Sequence, residues 1–136
     1  EMTLHDADIH AFGQWWRRAV RAGHGFAQVG ALHPGYFAAA RRRVLIWGAA
    51  LPAAVVGLGL ASASVVAAAA AAAALYGASW FNAFRGLRRR EGLSTGDAAA
   101  YAGFLTLSKA PNLVGMATYH LRRLGDLEMQ IIEYKR

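Results

Sequence analysis

Between residues 44 and 84 the chain has no Asp, Glu, Lys, Arg or His, and arginines close the run at both ends: Arg41, Arg42 and Arg43 before it, Arg85, Arg88, Arg89 and Arg90 after it. About 20 apolar residues cross the hydrocarbon core of a bilayer, so the run is long enough to cross twice. The simplest architecture is a helical hairpin that enters the membrane, turns and returns, leaving both ends of the chain on one side. Its first span falls near residues 44–60 and its second near 65–84, with Ser62, Ala63 and Ser64 at the tip. At 1.5 Å per residue the first span covers about 25 Å, short but accommodated by local thinning of the bilayer. Pro52 lies inside it and is compatible with a span, because neighbouring groups can satisfy the backbone that proline frees. The unbroken alanines at 67–74 are strong helix formers and only weakly apolar. A smooth surface of small residues lets two helices approach closely, so this run reads as the packing face of the hairpin. Trp47, Tyr76, Trp80 and Phe81 sit towards the arginine-bearing ends, as an aromatic belt does.

The hydrophobic fraction, 56% of 136 residues, exceeds the roughly 45–50% of soluble domains, and the excess is concentrated in that run. The formal charge is +7. Arginine beside a span end marks the cytoplasmic side and attracts anionic headgroups. Because the charge brackets an apolar run and lines no groove, the expected partners are membrane lipids and not nucleic acid. The chain lacks cysteine, which excludes a disulfide framework, a thiolate nucleophile and Cys-ligated zinc. The first forty residues contain no apolar core long enough for a secretory signal. The opening Glu1-Met2 fits a start at Met2 or, the favoured expectation, the tail of a longer protein.

Around the hairpin the expected elements are short helices, giving three parts: residues 1–35, 36–84 and 85–136. Met2 to Leu4 suits the end of a strand, and Asp6 or Asp8 can cap the helix that follows. Residues 9–29 carry Phe12, Trp15, Trp16, Ala19 and Val20 at helical spacing with Arg17, Arg18 and Arg21 between them. This amphipathic helix suits a membrane interface or a protein core, and Gly23 and Gly25 are expected to end it. Residues 30–35 read as a loop and 36–43 as helix. Residues 85–97 read as a basic surface loop, with Ser94 or Thr95 capping an apolar segment at 98–108 that is too short to span. A further helix is expected from Pro111 to Leu124, with Leu113, Met116, Ala117, His120, Leu121 and Leu124 on one side. These two pieces lie in the interface; a third span would carry Arg122 and Arg123 across, against the charge rule. Residues 127–136 suit a short strand or a docking tail. The fold class is therefore mainly α: a transmembrane helical hairpin flanked by amphipathic interfacial helices.

Catalytic equipment is sparse. The acids are scattered, no Ser-His-Asp set or phosphate loop occurs, and His10, His24, His33 and His120 are isolated. His5 beside Asp6 is the one pair with an obvious metal or proton-transfer option.

Several stretches resemble bacterial membrane-bound family 2 glycosyltransferases. The opening Glu1-Met2-Thr3-Leu4-His5-Asp6-Ala7, followed by Phe12-Gly13-Gln14-Trp15-Trp16-Arg17-Arg18-Ala19-Val20-Arg21-Ala22-Gly23, is similar to the end of their catalytic domain. Lys109-Ala110-Pro111-Asn112, the run from Tyr119 to Leu124, and Ile132-Glu133-Tyr134-Lys135 are similar to their C-terminus. The resemblance implies an enzyme that moves a sugar from a nucleotide-sugar to a lipid-linked or polysaccharide acceptor. It also implies an α/β nucleotide-sugar domain, not contained in these residues, with a divalent metal (Mg or Mn) on an Asp-x-Asp motif. Asp6-Ala7-Asp8 has the letters of that motif at the wrong place, and is a helix-start feature. By position, His5 matches a histidine that approaches the metal-diphosphate, and imidazole suits such a metal. Gln14-Trp15-Trp16-Arg17-Arg18 resembles the Gln-x-x-Arg-Trp signature of processive members, with Arg18 where tryptophan is usual. Gln14 and Arg17 are the better matches to substrate-binding positions, with Trp15 and Trp16 beside them. A guanidinium there would offset charge on a leaving diphosphate.

The leading expectation is the C-terminal membrane anchor of an inner-membrane glycosyltransferase, multi-pass with both termini cytoplasmic, and inactive on its own. The alternative is a small non-catalytic membrane scaffold or adaptor. A soluble helical module is the third reading.

Overall fold

The structure, a computed structural model, describes residues 11–125. The expected strand at 2–4, the caps Asp6 and Asp8, His5 and the tail at 127–136 lie outside the described residues. Among the described residues all regular structure is helical, in the order α1 (Phe12–Leu32), α2 (Ala38–Leu45), a π-helical turn (Ile46–Ala50), α3 (Leu51–Ser62), α4 (Val65–Arg90), α5 (Thr95–Leu107) and α6 (Lys109–Leu124). The mainly helical class holds.

Residues Ala38–Ser62 form one helical rod of 25 residues and α4 another of 26. These are about 37 and 39 Å long at 1.5 Å per residue, so both are long and apolar enough to cross a membrane. Almost none of either apolar stretch is buried in the protein. The turn between them falls where the sequence places it. Ala63 adopts a left-handed conformation (φ 48°), and the Ser64 hydroxyl accepts from the Ala67 N–H at 3.2 Å to start α4. The two rods touch beside the turn, where Gly59 faces Ala68, and again where the Tyr76 hydroxyl donates to the Trp47 carbonyl at 2.7 Å. Within the alanine run only Ala67, Ala68, Ala71 and Ala72 are half-buried; the others are exposed.

The π turn has a covalent cause. Leu51 donates to the Ile46 carbonyl, five residues back. The next bond of that pattern would run from residue 52 to Trp47, but Pro52 has no N–H. The Trp47 carbonyl is left without a main-chain donor, and the Tyr76 hydroxyl supplies one.

The core is the crossing of α1 and α6. Ala19, Gly23 and Ala27 make a small-residue stripe on α1, opposed by Pro111, Asn112, Gly115, Met116 and Tyr119 on α6, and Gly30 extends the stripe beneath the Arg41 side chain of α2. The backbones nearly meet. A Cβ at Gly23 would overlap the Asn112 carbonyl, and one at Gly115 would overlap the Val20 carbonyl. Val44 of α2 closes a cluster with Ala27, Met116 and Tyr119.

Several local expectations are corrected. α1 does not end at Gly23 or Gly25 but runs to Leu32, because the glycine stripe gains more from packing on α6 than it loses in helix propensity, about 1 kcal/mol per glycine. The turn accordingly shifts to residues 33–37, where Arg41 donates to the Pro34 carbonyl at 2.8 Å. Arg85 to Arg90 are not loop but the end of α4, where cations favour the helix dipole. On α6 the buried residues are Pro111, Asn112, Gly115, Met116 and Tyr119, while Leu121 and Leu124 are 68% and 85% exposed. α5 and α6 are separate helices, as expected, meeting at Ser108. Pro111 is the third residue of α6, not its first.

Candidate functional site

The cations flanking the apolar run converge. Arg43 leaves the end of α2, Arg85, Arg89 and Arg90 leave the last turns of α4, and Lys109 opens α6. All five line one cavity of about 900 Å³. Its other walls are Trp47 of the π turn, Ser79, Asn82, Ala83, Gly86 and Leu87 of α4, Glu91, and Leu105 and Thr106 of α5. Residues 79, 82, 83 and 86 follow helical spacing, so one face of α4 supplies the floor.

Tertiary contacts hold these helices in place. The Trp80 indole N–H donates to the Ala99 carbonyl at 3.1 Å, and Ala98 and Ala102 of α5 are fully buried. The Trp80 and Phe84 rings stack 5.4 Å apart. Arg85 lies over the Phe81 ring at 5.7 Å, a cation–π distance. The turn after α4 is fixed by Arg88, which donates to the Leu93 carbonyl at 2.7 Å, and by Ser94, whose hydroxyl caps α5 by accepting from the Asp97 N–H at 3.1 Å. The Gly48 backbone packs on the start of α6: a Cβ there would stand 2.8 Å from the Lys109 carbonyl oxygen.

Electrostatically the cavity is predominantly cationic, with five cations against the single carboxylate of Glu91. Burial, and secondarily the Arg43 guanidinium, hold the Lys109 ammonium below the ordinary lysine range. The Thr106 hydroxyl is buried and has no hydrogen-bond partner. Such a hydroxyl costs about 1–3 kcal/mol until something pairs with it. The only carboxylates among the described residues are Glu91 and Asp97, and Asp97 accepts from the Ser94 hydroxyl at 2.6 Å. The arrangement therefore offers anion binding without an evident general base.

The residues singled out from the sequence lie elsewhere. Gln14, Trp15, Trp16 and Arg17 occupy the first two turns of α1 and do not line the cavity. The Gln14 side-chain oxygen accepts from the Ala11 N–H at 3.3 Å. Trp15 packs on Phe12 and on Phe104 of α5, with ring centroids 5.1 and 5.2 Å apart, and Trp16 and Arg17 are exposed. Of the four, Trp15 meets α5, through Phe104. His5 lies outside the described residues, and among those described no group of three or more His, Asp or Glu is gathered to hold a metal.

Asn82, Thr106 and Lys109 went unrecognised in the sequence. A signal existed for two of them. Asn82 is the sole amide side chain in the uncharged run and falls at helical spacing from Ser79 and Gly86, and Lys109 is the sole lysine or arginine between residues 91 and 121. Comparison of the chain with known protein families, with characterised proteins and with solved structures finds no match.

Proposed function

We propose that this chain is the membrane-anchoring part of a glycosyltransferase that transfers a sugar from a nucleotide-sugar to a lipid-linked or polysaccharide acceptor. In this reading the rods 38–62 and 65–90 cross the inner membrane as a hairpin and both termini are cytoplasmic. One observation carries the membrane placement: arginines from the start of the first rod and the end of the second line a common cavity, while Leu60, Val65 and Val66 at the opposite end are 79%, 83% and 80% exposed. Three aliphatic side chains that bare are stable in lipid and costly in water. The sugar-transfer assignment rests on the sequence resemblance, with Gln14, Trp15, Trp16 and Arg17 on the substrate side and His5 near a divalent metal of the catalytic domain. Fixing catalyst and lipid-borne acceptor to one surface would lower the entropic cost of their meeting. The adaptor reading is favoured by a different observation, that the cavity presents binding groups and no evident base.

Because the chain has no cysteine, single cysteines report topology cleanly. Ala11→Cys and Gly125→Cys should react with an impermeant maleimide only after the cells are permeabilised, and Ser62→Cys in intact spheroplasts. Positions 11 and 125 on opposite sides, or a chain recovered in the soluble fraction, would refute the hairpin. Nucleotide-sugar turnover by membranes carrying the intact protein separates the transferase from the adaptor.

A further inference from the structure

Clusters of arginine beside a membrane span are usually solvated and independent of one another. Here three separate segments bring cations to one cavity: Arg43 from α2, Arg89 and its neighbours from α4, and Lys109 from α6. Lys109 is partly withdrawn from water and faces Arg43, so like charges are held together where solvent screens them less. A polyanion between them would remove that repulsion. Neutral polar side chains line the same space: Asn82 and Ser79 stand along the α4 wall.

We propose that the cavity is a binding site for a phosphate or diphosphate group, carried either on a lipid or on a soluble phosphoester. Guanidinium forks from α2 and α4 grip the oxygens in pairs, and Lys109 supplies a compact charge from the start of α6. The volume, about 900 Å³, exceeds what a phosphate fills and leaves room for the organic group that bears it. The lipid-borne source rests on the membrane placement proposed above; the anion site itself does not.

The test uses the full chain in mild detergent and in nanodiscs, with two probes. Pyrophosphate binding is measured calorimetrically in detergent. Retention of phosphatidic acid against phosphatidylcholine is measured by native mass spectrometry from nanodiscs. Lys109→Gln and Arg43→Gln should each weaken anion binding about tenfold, the loss expected for one charge-assisted hydrogen bond, while Lys109→Arg stays within about threefold. Arg123→Gln, off the cavity, should cost about nothing. Circular dichroism confirms that each variant keeps its helices. Phosphatidic acid retained in nanodiscs with weak pyrophosphate binding identifies a lipid-borne ligand; tight pyrophosphate binding without lipid preference identifies a soluble one. Both outcomes support the site. Equal losses from Arg123→Gln and Lys109→Gln, or binding of neither probe above the Lys109→Gln level, would overturn it.

Discussion

Two glycines in the same helix should respond oppositely to the same substitution. Gly23 lies on the buried stripe of α1, where an added Cβ would overlap the Asn112 carbonyl oxygen and stand 2.6 Å from the Asn112 Cα. Gly25, two residues on, has nothing within 4 Å of that position. In both cases alanine gains about 1 kcal/mol of helix propensity. At residue 23 that gain is opposed by an overlap of backbone on backbone, which no rotamer change can relieve. Overpacking of this kind costs about 1–3 kcal/mol, and with main chain on the opposing side the upper end applies. Gly23→Ala should therefore destabilise by about 2 kcal/mol net, and Gly25→Ala should stabilise by up to about 1 kcal/mol. The difference, about 3 kcal/mol, is more than a hundredfold in the folding equilibrium. Unfolding in mixed micelles, followed by the fluorescence of Trp15 and Trp16 on α1, reads it directly. A second arm sharpens the result. Gly115→Ala meets the same crossing from the other side, with a Cβ 2.7 Å from the His24 nitrogen. One separation of the helices relieves both overlaps, so the double variant should cost clearly less than the two single losses together. If Gly23→Ala behaves like Gly25→Ala, or if the pair is additive, the α1–α6 contact is not the close approach described here.

Tyr76→Phe leaves the Trp47 carbonyl without its donor and should destabilise by about 1–3 kcal/mol, measured by the same unfolding titration; a neutral effect would mean that another group pairs with that carbonyl. His24, against Tyr119, is held below the ordinary histidine pKa by burial first and by Arg122 second. Above pH 6.5 both folded and unfolded chains hold it neutral, and as pH falls below 6.5 the unfolded chain takes up the proton first, so stability should fall with acidification from that point. His24→Gln should flatten this slope; an unchanged slope between about pH 7 and 5 would assign the effect to other groups.

What could be seen in the chain beforehand was its one-dimensional information. An uncharged run bounded by arginines gives the two long apolar helices from length alone, and Ser64 after Ser62 and Ala63 announces their turn. The Gly23 and Gly25 reading failed because propensity is local and the partner of Gly23 is Asn112, some ninety residues away. The spacing Ala19, Gly23, Ala27, Gly30 was the available clue: small residues at that period mark a face for close approach as readily as a weak helix. Leu121 and Leu124 of α6 lie outside the protein interior. In a chain with long lipid-compatible surfaces, large aliphatics do not identify the protein interior, and the core is found instead by small residues and by Asn112 and Tyr119. The cavity was hidden more deeply. Its members come from four helices and the π turn, and a linear reading can see that Arg43 and Lys109 are basic without seeing that they meet.

That meeting depends on a residue that touches neither. Without an N–H, Pro52 cannot continue the main-chain ladder, and the π turn before it inserts one extra residue. One residue is about 100° of helix, so the segment carrying Arg43 and Val44 is rotated by that angle relative to α3. The rotation sets Val44 in the core, at 1% exposure, beside Met116 and Tyr119. It also leaves Gly48 against the first turn of α6, close enough that a side chain would strike the Lys109 carbonyl. Arg43 is on the same segment as Gly48, and Lys109 is the residue Gly48 packs on, so the contact that anchors α6 also brings the two charges to one wall. Proline in a membrane-length helix is commonly explained as a tolerated kink. Here it aligns a hydrophobic core on one side with a cationic cavity on the other, and Tyr76, by satisfying the carbonyl that proline orphans, locks the second apolar helix to the same joint.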